Sequence, residues 1–289
     1  MLHFCVSGAF QPIDHYVPVA KAAEAAGFRY MAVSDHLAHP EKIESPYPYT
    51  PDGGLRWEPF TTWPDPMVAI GAMAAATEKI RFVTGIYILP ARRLFSVAKS
   101  VGTAAAISNN RLTLGIGVGW MKEEFQLMDE DFHTRGKRTD EMLEVLQKLW
   151  AGGWVEHHGK FYDFPRVELT PAPGRVPVLV GGLSEAALRR TARHSDGWIS
   201  DIHTTDELRT IVARIRELRA DTPRANDPLY IFAAAADAFD VDAYRRLEDA
   251  GVTHIQTKPW MLEGIEETDL QGKIDSMNRF RDQILDKLD

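Results

Sequence analysis

The sequence predicts a (β/α)8 barrel of the TIM type, built as one domain over residues 1–289. Three observations carry that expectation. Short apolar stretches of strand character alternate with helical patterns eight times, and strict βα alternation calls for a parallel sheet with helices on its outer faces. The 289 residues lie close to the ~250 typical of the closed barrel, which favours it over an open doubly wound sheet. Glycine-rich clusters also fall where strands give way to helices, the end of a barrel at which ligands bind.

Residues 2–7 form an apolar run read as the first strand. Asp14 then precedes Tyr16, Val17, Val19, Ala20, Ala23 and Ala26, a helical pattern that stops at Gly27, so this helix has an acidic start and a glycine cap. Residues 30–34 make the second strand, which ends at Asp35 and His36. From Leu37 to about Trp63 proline, glycine and aromatics replace any period. A loop of that length is an active-site lid or is disordered, and its aromatics (Tyr47, Tyr49, Trp57, Phe60, Trp63) favour a substrate loop, since disordered segments are poor in them.

Asp65-Pro66 opens an alanine-dense helix reaching residue 77, residues 80–89 read as a third strand with Gly85 in its middle, and a helix covers 95–107. LTLGIGVGW at 112–120 is the fourth strand, with glycine at 115, 117 and 119. A short acidic helix (122–128) precedes a long one (135–150), whose Met142, Leu143, Leu146 and Leu149 form one apolar face. Residues 155–167 alternate around a turn at 158–160 and read as a surface hairpin inserted before the fifth strand, 176–180. That strand closes on Gly181-Gly182, Ser184 caps the next helix and Glu185 adds negative charge to its first turn. Strands at 197–200, 229–235 and 252–257 then alternate with helices at 205–219 and 241–250, and a closing helix spans 269–288.

The composition, 45% hydrophobic and 26% charged, is that of a globular chain with a sizeable core. With 33 basic against 41 acidic residues the formal charge is -8, which disfavours nucleic acid and anionic membranes as partners. Cys5 is the only cysteine, which excludes an intrachain disulfide, and its apolar setting predicts an inert buried thiol. The amino terminus carries no signal pattern, and no apolar run reaches the roughly 18 residues of a membrane helix. A cytoplasmic protein without nucleic-acid or membrane partners is expected.

The predicted barrel gathers Phe10, His36, Gly85 to Leu89, Val118 to Trp120, Gly181 to Ser184, Asp201 to His203 and Lys258 to Trp260 on one rim. The alternate glycines of the fourth strand bare backbone that a flat or phosphorylated ligand can approach. They also resemble the dinucleotide fingerprint, but its third glycine is spaced differently and it stands early in its domain. Gly181-Gly182-Leu183-Ser184 offers free amides and a helix dipole to a phosphate, with a tight βα turn as the competing reading. His36 can donate to a ring heteroatom or act as an acid, against the alternative of satisfying loop carbonyls beside Asp35. His36 and His39 form H-x-x-H without a third ligand at recognisable spacing, so no metal is assigned. His157 and His158 are expected to be solvated on the hairpin, and Arg135, Arg138, Asp140 and Glu141 to form a capping and salt-bridge set. No G-x-S-x-G is present, so nucleophilic hydrolysis lacks a carrier.

The segments SDHLAHP (34–40), YPYTPDGG (47–54), WPDPMVAIGAMAAAT (63–77), RFVTGIYILP (81–90), RLTLGIGVGWMKEEF (111–125), FHTRGKRTDEMLEVLQKLW (132–150), GKFYDFP (159–165), PVLVGGLSEAALRRTAR (177–193) and SDGWIS (195–200) are spread in order from residue 34 to residue 200. In these it resembles the bacterial luciferase-like monooxygenase superfamily, specifically its coenzyme F420-dependent oxidoreductase branch. The resemblance implies a luciferase-like barrel that transfers a hydride between F420 and a small organic substrate. The tail phosphate would meet the amides of Gly181 and Gly182 and the backbone of Gly117, Val118 and Gly119, with Trp120, Leu183, Ser184 and Asp201 completing the cofactor site. A non-proline cis peptide that props the ring would fall at Gly85-Ile86, and His36 matches the histidine beside the ring.

Sugar-phosphate dehydrogenases of the family place a glutamate just after the fourth-strand glycines, where this chain has Trp120. That substrate is therefore not expected, and the proton donor is left open. An apolar substrate, of aromatic or terpenoid-like kind, under a loop carrying Tyr47, Tyr49, Trp57 and Trp63 is expected instead. Similar barrels are commonly homodimers and draw on a separate F420 or flavin reductase. The alternatives are an FMN-dependent monooxygenase using reduced flavin and oxygen, a non-catalytic deazaflavin or flavin carrier, and a metal-dependent barrel hydrolase.

Overall fold

Eight parallel strands close on themselves in the computed structural model, which describes residues 2–288. In chain order the strands are β1 (His3–Ser7), β2 (Tyr30–Val33), β3 (Arg81–Thr84), β4 (Tyr87–Ile88), β5 (Leu112–Gly117), β6 (Trp154–His158), β7 (Asp163–Glu168), β8 (Val178–Gly181), β9 (Gly197–His203), β10 (Tyr230–Ala235) and β11 (His254–Thr257). The ring runs β3-β2-β1-β11-β10-β9-β8-β5, and β5 pairs back onto β3 through Phe82 with Leu112 and Val83 with Thr113. Alternation along each strand sends Cys5, Ala32, Val83, Leu179, Ile199 and Phe232 into the lumen, while Phe4, Val6, Met31 and Val180 face the helices.

Those helices are α1 (Tyr16–Ala25), α2 (Pro66–Ala75), α3 (Leu94–Ile107), α4 (Lys122–Leu127), α5 (Arg135–Ala151), α6 (Glu185–His194), α7 (Thr205–Ala220), α8 (Val241–Asp249), α9 (Pro259–Leu262), α10 (Leu270–Phe280) and α11 (Asp286–Leu288). The sequence signals act at their ends as expected. Asp65 accepts from the amides of Met67 and Val68 at 2.9 and 3.0 Å, Ser184 accepts from Ala187 at 3.2 Å, and Gly27 leaves α1 at φ +88°. Met142, Leu143, Leu146 and Leu149 are buried along α5. Cys5 is fully buried in the lumen, which pushes its thiol pKa far up and leaves it inert. Among the described residues no helix is long and apolar enough to cross a membrane.

The structure departs from the expected elements at four places. The third strand is not continuous over 80–89: β3 stops at Thr84 and β4 resumes against β5 alone, while the cis peptide between them joins Gly85 to Ile86, where the resemblance implies one. The strand expected at 197–200 runs on to His203, paired with Ala235, so Asp201 lies within β9. The closing helix widens into a π turn over Arg281–Leu285 before α11. The hairpin β6–β7 stands where expected, but its register turns His157 inward onto Glu141 at 3.2 Å; only His158 is solvated, paired with Asp163 at 2.6 Å.

Candidate active site

The mouth of the barrel is organised by the end of β2. Asp35, 5% exposed, accepts from the Ile88 amide at 2.9 Å and from both guanidinium ends of Arg92 at 2.7 and 2.8 Å. Arg92 in turn lies 4.0 Å over the Tyr87 ring. This two-pronged ion pair ties the tip of β2 to β4 across the rim. The Ser34 hydroxyl adds a bond to the Gly85 carbonyl at 3.0 Å.

With its neighbours held, His36 has little freedom. Its Nδ1 lies 3.1 and 3.2 Å from the two carboxylate oxygens of Glu124, which is 1% exposed and also accepts from the Leu37 amide at 2.7 Å. A carboxylate only accepts, so the network assigns the hydrogen to Nδ1 and leaves the Nε2 lone pair for the site. The adjacent Glu123 accepts from the amides of Glu44 and Ser45 at 2.8 and 3.1 Å. Two consecutive acids on α4 therefore anchor the start of the long loop. Sequence reasoning missed Glu124; the available signal was its place one helical turn beyond Trp120, with its side chain on the same rim.

The loop folds back as an aromatic wall. Trp57 and Trp63 each stand 4.9 Å from the His36 ring, Trp120 stands at 6.2 Å, and Tyr47 lies 5.2 Å from both Trp57 and Trp120 and 5.3 Å from Tyr49. All four predicted loop aromatics thus come together with His36 and Trp120. The indole N–H groups of Trp57 and Trp63 are buried without a partner among the described residues. An unmade donor of this kind costs about 1–3 kcal/mol, so the wall is poised to donate to a ligand. Burial first, then the charge of Asp201, pushes the Tyr47 hydroxyl up to about 12 and keeps it protonated. Arg56 spans the mouth, pairing with Asp201 at 2.8 Å, donating to the Tyr49 carbonyl and lying 5.6 Å from the Tyr47 ring centroid. The loop itself therefore engages Asp201.

The glycines have different reasons from one another. A Cβ on Gly115 would stand 2.0 Å from the Thr84 carbonyl, one on Gly117 2.4 Å from the Ile86 side chain, and one on Gly119 2.6 Å from Phe125. Each of these glycines thus has a packing reason of its own, because a side chain there would meet the chain's own groups. Gly117 and Gly181 flank the Ile86 side chain from two strands and leave room for it. Gly182 adopts φ +108°, its carbonyl accepts from the Trp198 indole at 3.0 Å, and Leu183 is exposed beside the cap of α6. Val118 is half-buried between the two glycines.

The charged set on α5 is structural, as read from its spacing. Asp140 pairs with Arg190, Glu141 accepts from the amides of Phe161 and Tyr162, Arg138 reaches the Pro90 carbonyl, and Arg135 donates to the Gly119 carbonyl at 3.0 Å. Among the described residues no group of three His, Cys, Asp or Glu side chains could hold a metal ion. Chemically, the mouth offers one oriented imidazole, a buried carboxylate behind it and a wall of indoles.

Comparison with known proteins agrees with this architecture. The luciferase-like monooxygenase family model matches residues 3–283. An uncharacterised protein of Mycobacterium tuberculosis is 38% identical over 291 residues, covering 99% of this chain and all of the relative. An FMNH2-dependent dimethylsulfone monooxygenase of Pseudomonas fluorescens is 27% identical over 71% of this chain and 52% of its own length. The coenzyme F420-dependent tetrahydromethanopterin reductase of Methanopyrus kandleri superposes with a TM-score of 0.75 at 15% identity, over 100% of this chain and 99% of that one. By the match that spans the whole barrel and the near-full-length relative, the chain belongs to the luciferase-like monooxygenase family of oxidoreductases.

Proposed function

We propose that this oxidoreductase transfers a hydride between coenzyme F420 and a small, largely apolar organic substrate. The observation that carries the reading is His36, fixed by the buried Glu124 carboxylate and facing the aromatic wall with Nε2 free. A hydride moved to or from a carbonyl carbon requires a proton at its oxygen, and an imidazole oriented by a carboxylate is placed to exchange that proton.

The residues fit the cofactor. Gly117 and Gly181 leave Ile86 as a flat floor for a planar ring, and the unpartnered indole N–H groups of Trp57 and Trp63 await acceptor oxygens. Gly182 and the Ser184-capped start of α6 suit an anionic tail. When bound, F420 supplies or accepts the hydride. The chain's own part is to hold the ring on Ile86, to exclude water with Trp57, Trp63 and Trp120, and to move a proton at His36 Nε2. Glu124 answers the missing acid at Trp120 by acting through His36. The reading includes a cytoplasmic homodimer served by a separate reductase.

A second reading, a monooxygenase using reduced FMN, is favoured by the dimethylsulfone monooxygenase among the relatives. Equilibrium titration of the purified protein with F420, FMN and FAD, followed by fluorescence, separates them. Preferential F420 binding is expected; tight FMN binding with none for F420 would overturn the proposal.

A further inference from the structure

Five non-glycine residues among those described adopt left-handed backbone: Phe10, Phe60, Asn109, Asn110 and Asp129. Asn and Asp tolerate that region because their short polar side chains bond locally, whereas a bulky residue there is a steric outlier. The two outliers are both phenylalanines, both at φ +67°, and they stand 50 positions apart on different loops. Both line the same cavity of about 540 Å³, which lies between the 56–62 stretch of the long loop and the segments following β1 and β11.

Phe60 is fully exposed, so its backbone conformation is not explained by what its side chain buries, and Phe10 keeps 38% of its surface open to the cavity. The Phe10 ring stacks with Trp57 at 6.4 Å and 27° and lies 5.4 Å from Trp63, so this cavity shares a wall with the His36 site. Its charged lining is largely spoken for, Arg56 by Asp201 and Glu267 by Lys258. What remains is aromatic surface with the hydroxyls of Thr61, Thr62 and Thr268, the Glu58 carboxylate and the Gln11 amide, whose N and O are buried without a partner among the described residues and can meet a polar substituent on a ring. Left-handed bulky residues are held where they serve a site, and exposed aromatic faces stack on flat rings.

We propose that this cavity is a binding site for a neutral planar aromatic or conjugated group, gripped by Phe10 and Phe60, and that it receives the ring-bearing part of the substrate. The assignment to substrate rests on the function proposed above; the ring site itself does not. No covalent step is involved.

The test is isothermal titration of the full-length protein with 2-naphthol and with its saturated counterpart 2-decalol, alongside F420. Wild-type protein is expected to bind 2-naphthol at least several-fold more tightly than 2-decalol. Phe60→Gly, which suits the left-handed backbone, should keep the melting temperature while weakening 2-naphthol about tenfold, with F420 affinity unchanged. Phe10→Gly should weaken it likewise.

Equal binding of the two alcohols, or unchanged 2-naphthol affinity in Phe60→Gly, would overturn the proposal. A fall in melting temperature or in sedimenting mass for Phe60→Gly would do so too, by making Phe60 a folding or subunit contact. Absent F420 binding in wild type would defeat the proposed function while leaving the ring site to its own result. F420 binding without aromatic selectivity would defeat only the ring site.

Discussion

Nδ1 of His36 and the carboxylate of Glu124 meet at 3.1 Å although 88 residues separate them in the chain. The carboxylate is buried to 1% exposure and bridges two successive residues, accepting from the His36 ring and from the Leu37 amide. It therefore sets both where the imidazole sits and which nitrogen faces the mouth.

Glu124→Gln keeps the size and an acceptor for Leu37 but removes the charge behind the ring. We expect kcat/KM to fall ~10- to 100-fold, with little change in cofactor affinity or melting temperature. The 15N signals of His36 report the tautomer directly: a single Nδ1–H form in wild type should become a mixture in the variant. Unchanged signals and kinetics would reduce Glu124 to a loop anchor.

Gly115 and Gly117 look alike in sequence and should behave differently. A methyl on Gly115 meets backbone, the Thr84 carbonyl at 2.0 Å, whereas one on Gly117 meets the movable end of Ile86 at 2.4 Å. Gly115→Ala should cost about 3 kcal/mol and Gly117→Ala about 1 kcal/mol by denaturant unfolding. Gly117→Ala should also weaken cofactor binding, because the displaced Ile86 is the proposed ring floor. Equal stability losses with intact cofactor affinity would speak against that floor.

The Arg56–Asp201 pair, part-exposed at both ends, closes the long loop across the mouth. Such pairs contribute roughly 0–1 kcal/mol, so Arg56→Ala should barely move the melting temperature. Ligand entry is where it should matter. Stopped-flow quenching of tryptophan is expected to show faster association and still faster dissociation of the cofactor, and wild-type rates should approach those of the variant at high salt. Identical rates would mean the loop does not gate the site.

At the opposite end of the barrel, His254 stacks on Phe232 at 3.9 Å and 7°. Burial first, then the charges of His3, Arg29 and Arg81, lowers its pKa from 6.5 to about 3. The unfolded chain takes up this proton near 6.5 while the folded one does not, so stability is lost as pH falls below 6.5 and the loss stops growing near 3. The slope approaches ~1.4 kcal/mol per pH unit. Urea unfolding from pH 7 to 4 should therefore show a steeper decline in wild type than in His254→Gln; parallel curves would contradict the assignment.

Periodicity and punctuation were enough to count eight βα units, place their caps and put His36, the 181–184 turn and the long aromatic loop on one rim. Those signals are local, since a helix or strand advertises itself over a few residues. The interruption of the third strand at Gly85-Ile86 has no such signal of its own and entered only through resemblance to a family. Tertiary structure alone decided that Glu124 belongs to His36, that Gly115 and Gly119 are bare to fit Thr84 and Phe125, and that Phe10 and Phe60 share a cavity. These pairings depend on how the sheet closes and how far each loop reaches over the rim. Closure is a property of the whole ring, so no window of sequence carries it.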